Sequence, residues 1–171
     1  MTLPETMRTL TAGGLTLDPQ VAAHAAELYA VLRDPELHRY TDAEAPASET
    51  ELAARLVRLE SRVSPEGTEH WLNWIVRNKA GELVGYVQAT VAGQVAEIAY
   101  VFGRAYQRRG YAFAATSAML RELAAAYGVH RASAKLDPDN TASLALLRKL
   151  GFVLFATDEA AHEVSYGRAI P

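Results

Sequence analysis

Gln107-Arg108-Arg109-Gly110-Tyr111-Ala112 is the stretch on which the reading of this chain turns. An extended apolar run, residues 96–102, leads into it and a long helix-forming run leaves it, so the order is strand, tight loop, helix. The first turn of a helix exposes backbone N–H groups without partners, together with roughly half a positive charge. A loop that strips side-chain bulk at Gly110 and Ala112 lets phosphate oxygens reach those groups. Arg108 and Arg109 add charge at the same place.

About thirty residues on stands Asp139-Asn140-Thr141-Ala142-Ser143, followed by Leu144-Ala145-Leu146-Leu147-Arg148-Lys149-Leu150 and closed by Gly151-Phe152. Asp139 or Asn140 is placed to cap a short helix, and Leu144, Leu147 and Leu150 fall on its inner stripe. Gly151 is the left-handed stop before a new strand.

Working outward, the rest of the chain alternates strand and helix patterns, as an α/β or α+β layer fold requires. Residues 15–17 read as a first strand stopped by Asp18-Pro19, and 21–33 as a helix with an Ala22/Ala26/Tyr29 or a Leu28/Leu32 stripe, ended by Asp34-Pro35. Ser48-Glu49-Thr50-Glu51 has capping-box spacing and opens a second helix with Leu52, Leu56 and Leu59 inward. Residues 71–77 and 83–91 alternate with period two around Asn78-Lys79-Ala80-Gly81, a hairpin signal, and 95–102 pairs next. Residues 111–127 form a helix ended by Gly128, 129–135 a fifth strand parallel to the fourth, and 152–157 with 162–169 a closing hairpin.

The 171 residues, 50% apolar and 22% charged, suit one domain spanning 1–171, with 1–13 a poorly ordered or peripheral segment. A net charge of −3 argues against a nucleic-acid or membrane-surface partner, leaving a small positive patch at Arg104, Arg108 and Arg109. There are no cysteines, which excludes disulfides, thiolate nucleophiles and Cys-type zinc sites. The five histidines, at 24, 38, 70, 130 and 162, include no i, i+4 pair, so no metal is expected. No signal pattern or membrane-length apolar run stands in the sequence, so the expected compartment is the cytoplasm, and the chain a monomer or homodimer.

Written as Gln/Arg-x-x-Gly-x-Gly/Ala, the first segment resembles the pyrophosphate loop of the GNAT acyl-CoA N-acyltransferases. The second resembles that family's Asn-x-x-Ser/Ala motif with a helix ending in Lys-x-Gly-Phe. Ala96-Glu97-Ile98-Ala99-Tyr100, Gln107, Ser143 and Leu147 make the chain most similar to the branch that acetylates α-amino groups of ribosomal proteins. The resemblance runs over about residues 14–157. It implies a mixed central sheet of six to seven strands, helices on both faces, and a splay between the fourth and fifth strands for the acyl-CoA pantetheine. It further implies acetyl-CoA as co-substrate and a peptide or small-molecule amine as acceptor, bound by the segment 33–46 and the final hairpin. Two positions depart from the pattern: Ala114 stands where that branch often has Glu, and Leu147 where many family members carry an acidic Tyr.

By the same resemblance the amides of Val101 and Gly103 hold the pantetheine arm and acetyl oxygen, while Gln107, Arg108, Arg109, Gly110, Tyr111 and Ala112 hold the pyrophosphate. Asn140 is expected to contact the cofactor or to serve as an N-cap alone. Attack by an amine requires a base, and Glu97 on the strand leading to the loop is the candidate, against a plain surface or ion-pairing role. Ser143, or a phenol such as Tyr100 or Tyr166, is the candidate donor to the leaving thiolate. Trp71 and Trp74 fall on opposite faces of one strand, one expected in the core and the other walling the acceptor pocket. The sequence thus predicts an N-acetyltransferase working by direct transfer, or alternatively a non-catalytic acyl-CoA sensor.

Overall fold

Period-two alternation of large apolar residues generates one continuous sheet, and turn chemistry fixes where it folds back. In the computed structural model, which describes residues 6–41 and 43–171, β3 (His70–Arg77) and β4 (Leu83–Ala92) form the predicted hairpin. Asn78 makes the turn: its Oδ1 accepts from the N–H groups of Ala80 and Glu82, both at 3.0 Å, while Gly81 supplies a φ of 82°. β5 (Val95–Phe102) pairs antiparallel with β4, and β6 (Arg131–Leu136) lies parallel to β5. β7 (Val153–Asp158) and β8 (Glu163–Ala169) close the sheet, and with β1 (Leu10–Ala12) and β2 (Leu15–Pro19) at the other edge the strand order is β1-β2-β3-β4-β5-β6-β8-β7.

Eight strands are present rather than the six to seven expected, because the segment read as peripheral contributes one. β1 (Leu10–Ala12) pairs with β2 (Leu15–Pro19) at the sheet edge, and Met7 and Leu10 pack against the core. Two contacts tie this segment down: Arg8 Nη2 meets the buried Glu122 carboxylate at 2.6 Å, and the Trp74 indole N–H donates to the Arg8 carbonyl at 2.9 Å. Residues 1–5, also within the expected peripheral segment, and Asp42, within the expected acceptor segment, lie outside the described residues.

Helices cover both faces. α1 (Ala25–Leu32) and α2 (Glu49–Leu59) bury Leu28, Leu32, Leu52 and Leu56 against Ile75 and Leu83. The first helical stripe is therefore Leu28/Leu32, joined by Ala25, and residues 22–24 form a 3₁₀ turn ahead of it. Ser48 caps α2 by accepting from Glu51 N–H at 3.1 Å, and the Glu51 carboxylate reaches back to Ala47 N–H at 2.8 Å. α3 (Tyr111–Tyr127) and α4 (Thr141–Lys149) cover the opposite face, α3 ending on left-handed Gly128.

The feature that positions a site is the junction of β5 and β6. Their parallel ladder holds for three pairs, Val95–Arg131, Ala96–Ala132 and Glu97–Ser133, and then stops. β5 continues to Phe102 with nothing paired on that side, whereas β6 continues in register with β8. The two strands part as expected, leaving a notch beneath the N-terminal ends of α3 and α4.

Candidate active site

The loop between β5 and α3 is shaped by backbone conformation before any side chain is considered. Arg108 (φ 59°) and Gly110 (φ 78°) are left-handed on either side of Arg109, an alternation that turns successive N–H groups toward one side. A Cβ built on Gly110 would meet nothing within 4 Å, so the space over this end of α3 is open. Gln107 braces the loop from below, its amide donating to the Phe102 carbonyl at 3.0 Å.

That space is one end of a cleft of about 500 Å³. Its walls are the end of β5, the loop, the first turn of α3, the cleft-facing side of α4 and the segment 36–41 beyond α1. Of the sequence-predicted residues, Val101, Gln107, Arg108, Gly110, Tyr111 and Ala112 line it from the loop side, and Asn140 and Ser143 from α4. Asn140 is also the N-cap, its Oδ1 accepting from Ser143 N–H at 3.1 Å, which leaves its Nδ2 donor for the cleft. Arg109 is beside the cleft rather than in its wall, its guanidinium 6.0 Å from the centre of the Tyr106 ring.

Three expectations are corrected. Gly103 does not present a free amide, because its N–H donates to the Val84 carbonyl at 2.9 Å. Antiparallel alternation from that pair turns the Val101 N–H toward Tyr86 on β4, so the amides facing the notch are those of Tyr100 and Phe102. Gly103 serves instead as the bend between β5 and the turn Arg104–Tyr106, where a side chain would press on Tyr106 and Val31 at 3.2 Å.

Tyr166 is the second correction. β8 alternation sends it with Val164 into the core, where it is 4% exposed and its hydroxyl accepts from Arg148 Nη2 at 3.2 Å. It does not line the cleft. The third concerns Trp71: Trp74 is the core residue, but Trp71 turns its indole N–H to Glu69 at 3.2 Å and takes no part in the cleft wall.

Glu97 lies where β5 and β6 are still paired, on the opposite face of β5 from Ala96 and Ile98, half exposed and 3.3 Å from Lys135 Nζ. It stands below the notch and not in the cleft wall. Leu147 is buried in the core, and its neighbour Leu146 is the α4 leucine that reaches the cleft. Tyr100 does reach it: its hydroxyl donates to the Ser143 carbonyl at 3.4 Å, and burial pushes the phenol up to about 12, partly offset by the contact with Ser143. One pair was not anticipated from sequence, the Lys149 ammonium 4.6 Å over the Phe113 ring at the cleft rim. Its only sequence signal is a cation in the last turn of α4.

Away from the cleft wall, Asp137, Asp139 and His162 bring ligand-type atoms within 4.8 Å of one another. The His162 ring lies 3.1 Å from Asp139 and 3.5 Å from Asp137, tying the β7–β8 turn to the loop before α4. Asp139 and His162 are exposed and Asp137 half-buried, and sequence spacing does not connect them.

A strand, an open loop at a helix N-terminus and a splayed parallel pair are the arrangement that the family resemblance implies. Residues 14–153 match the family model described as an acetyltransferase (GNAT) domain, and the chain belongs to that family of enzymes. Among curated proteins it is 28% identical over 149 residues to an uncharacterized N-acetyltransferase p20 of Bacillus licheniformis, covering 85% of this chain and 83% of that protein. Among solved structures it resembles RimL, a ribosomal L7/L12 α-N-protein acetyltransferase in complex with coenzyme A, with TM-score 0.83, 20% identity, and 95% and 98% of the two chains covered. It likewise resembles Mycobacterium smegmatis RimJ in complex with a CoA disulfide, with TM-score 0.80, 20% identity, and 97% and 88% covered. Among the described residues no helix is long and apolar enough to cross a membrane.

Proposed function

We propose that this enzyme transfers an acetyl group from acetyl-CoA to a primary amine by direct attack, in the cytoplasm. The observation that carries the reading is the continuity of open left-handed Gly110, the N-terminal end of α3 and the end of β5 beyond its pairing with β6 in one cleft. Loop amides and Arg108 suit a pyrophosphate, and a thioester threaded into the notch meets the amides of Tyr100 and Phe102. The coenzyme A named in the RimL and RimJ structures supports the same donor.

The chain's own groups divide the remaining work. Glu97 accepts the amine proton through water, because its carboxylate stands below the closed end of the splay rather than in the wall. Ser143, exposed to the cleft on the first turn of α4, donates to the leaving thiolate. Tyr166 is spent on Arg148 and the Tyr100 hydroxyl is turned to the Ser143 carbonyl, so Ser143 serves as a hydrogen-bond donor that stabilises the thiolate, and the proton itself comes from water. Direct transfer needs no enzyme nucleophile, consistent with a chain that has no cysteine.

Calorimetry with acetyl-CoA and thiol-release assays over a panel of peptides and small amines test this. Expected are binding that weakens with salt and turnover with at least one amine. Tight acetyl-CoA binding with no thiol release across the panel replaces this reading with the sensor alternative, which the buried Leu147 favours by offering no acidic group at its position.

A further inference from the structure

The cleft carries a charge imbalance that bears on its acceptor. Among the described residues four cations line it, Arg39, Arg104, Arg108 and Lys149, against one carboxylate, Glu36. Arg108 belongs to the phosphate loop and Lys149 to α4, both elements that hold the donor in the proposed reading. Arg104 is partly neutralised by Asp34 at 3.8 Å. Arg39 is different: it stands on the segment that follows α1, and its guanidinium lies 5.4 Å from the Tyr40 ring centre. Among the described residues it forms no ion pair.

With Arg108 and Lys149 facing the donor, the acceptor side keeps Arg39 and Arg104 against Glu36 and Asp34, so it holds no surplus of carboxylate to replace the hydration and balance the charge of a polycationic acceptor. Arg39, the lining cation left by the donor and without an ion pair among the described residues, is placed to take an amine that carries a carboxylate. A guanidinium holds a carboxylate through two parallel N–H···O bonds, fixing its orientation as well as its position.

We propose that the acceptor is an anionic amine, an amino group with a carboxylate within a residue or two of it, and that Arg39 binds that carboxylate. The inference rests on the transferase reading above. The shared chemistry has two sources, a free acidic amino acid or a polypeptide whose first residues include Asp or Glu, and the assay separates them.

Thiol release is measured with four acceptors: a short peptide amide with Glu at its second position, the same peptide with Gln there, free glutamate, and spermidine. The Glu peptide or glutamate is expected to be the preferred acceptor, identifying the source, with spermidine the poorest. Arg39→Gln should lower kcat/KM for the anionic acceptor on the order of ten- to a hundredfold, mainly through KM, and leave the Gln peptide and acetyl-CoA affinity unchanged. Arg39→Glu should reverse the order of the two peptides. Preference for spermidine, or equal losses for both peptides in Arg39→Gln, overturns the proposal. A drop in acetyl-CoA affinity assigns Arg39 to the donor's phosphates and equally overturns it. No release from any acceptor, with acetyl-CoA still bound, removes the transferase reading itself and this proposal with it.

Discussion

The Glu97 carboxylate and the Lys135 ammonium meet at 3.3 Å across β5 and β6, beside the last rung before these strands part. Both side chains are half exposed, so the pair is screened and contributes little to stability. Its consequence is positional: a carboxylate is held just below the closed end of the notch. Glu97→Gln keeps the shape and removes the proton acceptor, and is expected to lower kcat on the order of 10²- to 10⁴-fold with acetyl-CoA affinity nearly unchanged. Lys135→Met should cost much less. Full turnover by the Gln variant would leave Glu97 with the ion pair alone.

Gly110 offers a sharper separation of folding from binding. Its φ of 78° lies where β-branched residues are strained, at a cost of about 1–3 kcal/mol, but its Cβ direction is empty, so no clash accompanies the strain. Gly110→Val is therefore expected to melt cooperatively, somewhat below the parent, and to lose acetyl-CoA binding in calorimetry. Normal binding by the valine variant would show that the loop does not hold the donor.

Three hydroxyls compete for the role of thiolate donor, and the structure ranks them. Ser143→Ala should reduce kcat about tenfold, since only a neutral donor that water can partly replace is lost. Tyr100→Phe should change it little, because that hydroxyl donates to the Ser143 carbonyl, at a long 3.4 Å, rather than toward the thiolate. Tyr166→Phe should act on stability through Arg148, and not on turnover. A large kcat loss in Tyr166→Phe with unchanged melting would contradict its placement in the core.

How far these residues were legible in the sequence follows from the range of the forces that place them. Gly110, Gly128, Gly151 and the caps at Ser48 and Asn140 act within one turn of their own sequence, so their roles could be read locally. The alternating strands were equally plain. β1 was not, because three residues carry almost no periodicity and its anchorage comes from Glu122, 114 residues away from Arg8. Tyr166 and Trp71 failed for a related reason: alternation assigns a side chain to a face, but which face opens on the cleft depends on packing between distant elements. The amide error, Val101 and Gly103 for Tyr100 and Phe102, is a one-residue slip in phase that only the register with β4 determines.

The last prediction concerns acid stability and rests on His24. Its Nδ1 accepts from the Val21 N–H at 3.2 Å, a role available only to an unprotonated nitrogen, and it lies in the turn just before α1. Burial first, and then the nearby Arg77 guanidinium, lower its pKa, with Glu27, Asp18 and Glu60 opposing. The unfolded chain therefore binds the His24 proton more readily than the folded one, and stability must fall as pH drops below the ordinary histidine value of about 6.5. Stability from this group is full above that value and is lost as pH falls through the lowered one. Arg77 is itself held by Glu27 at 2.6 Å and is not free to move away. Melting temperatures between about pH 7 and about pH 5 should decline in the parent and decline less in His24→Asn, which retains an acceptor but does not titrate. Identical slopes in the two proteins would place the acid sensitivity elsewhere.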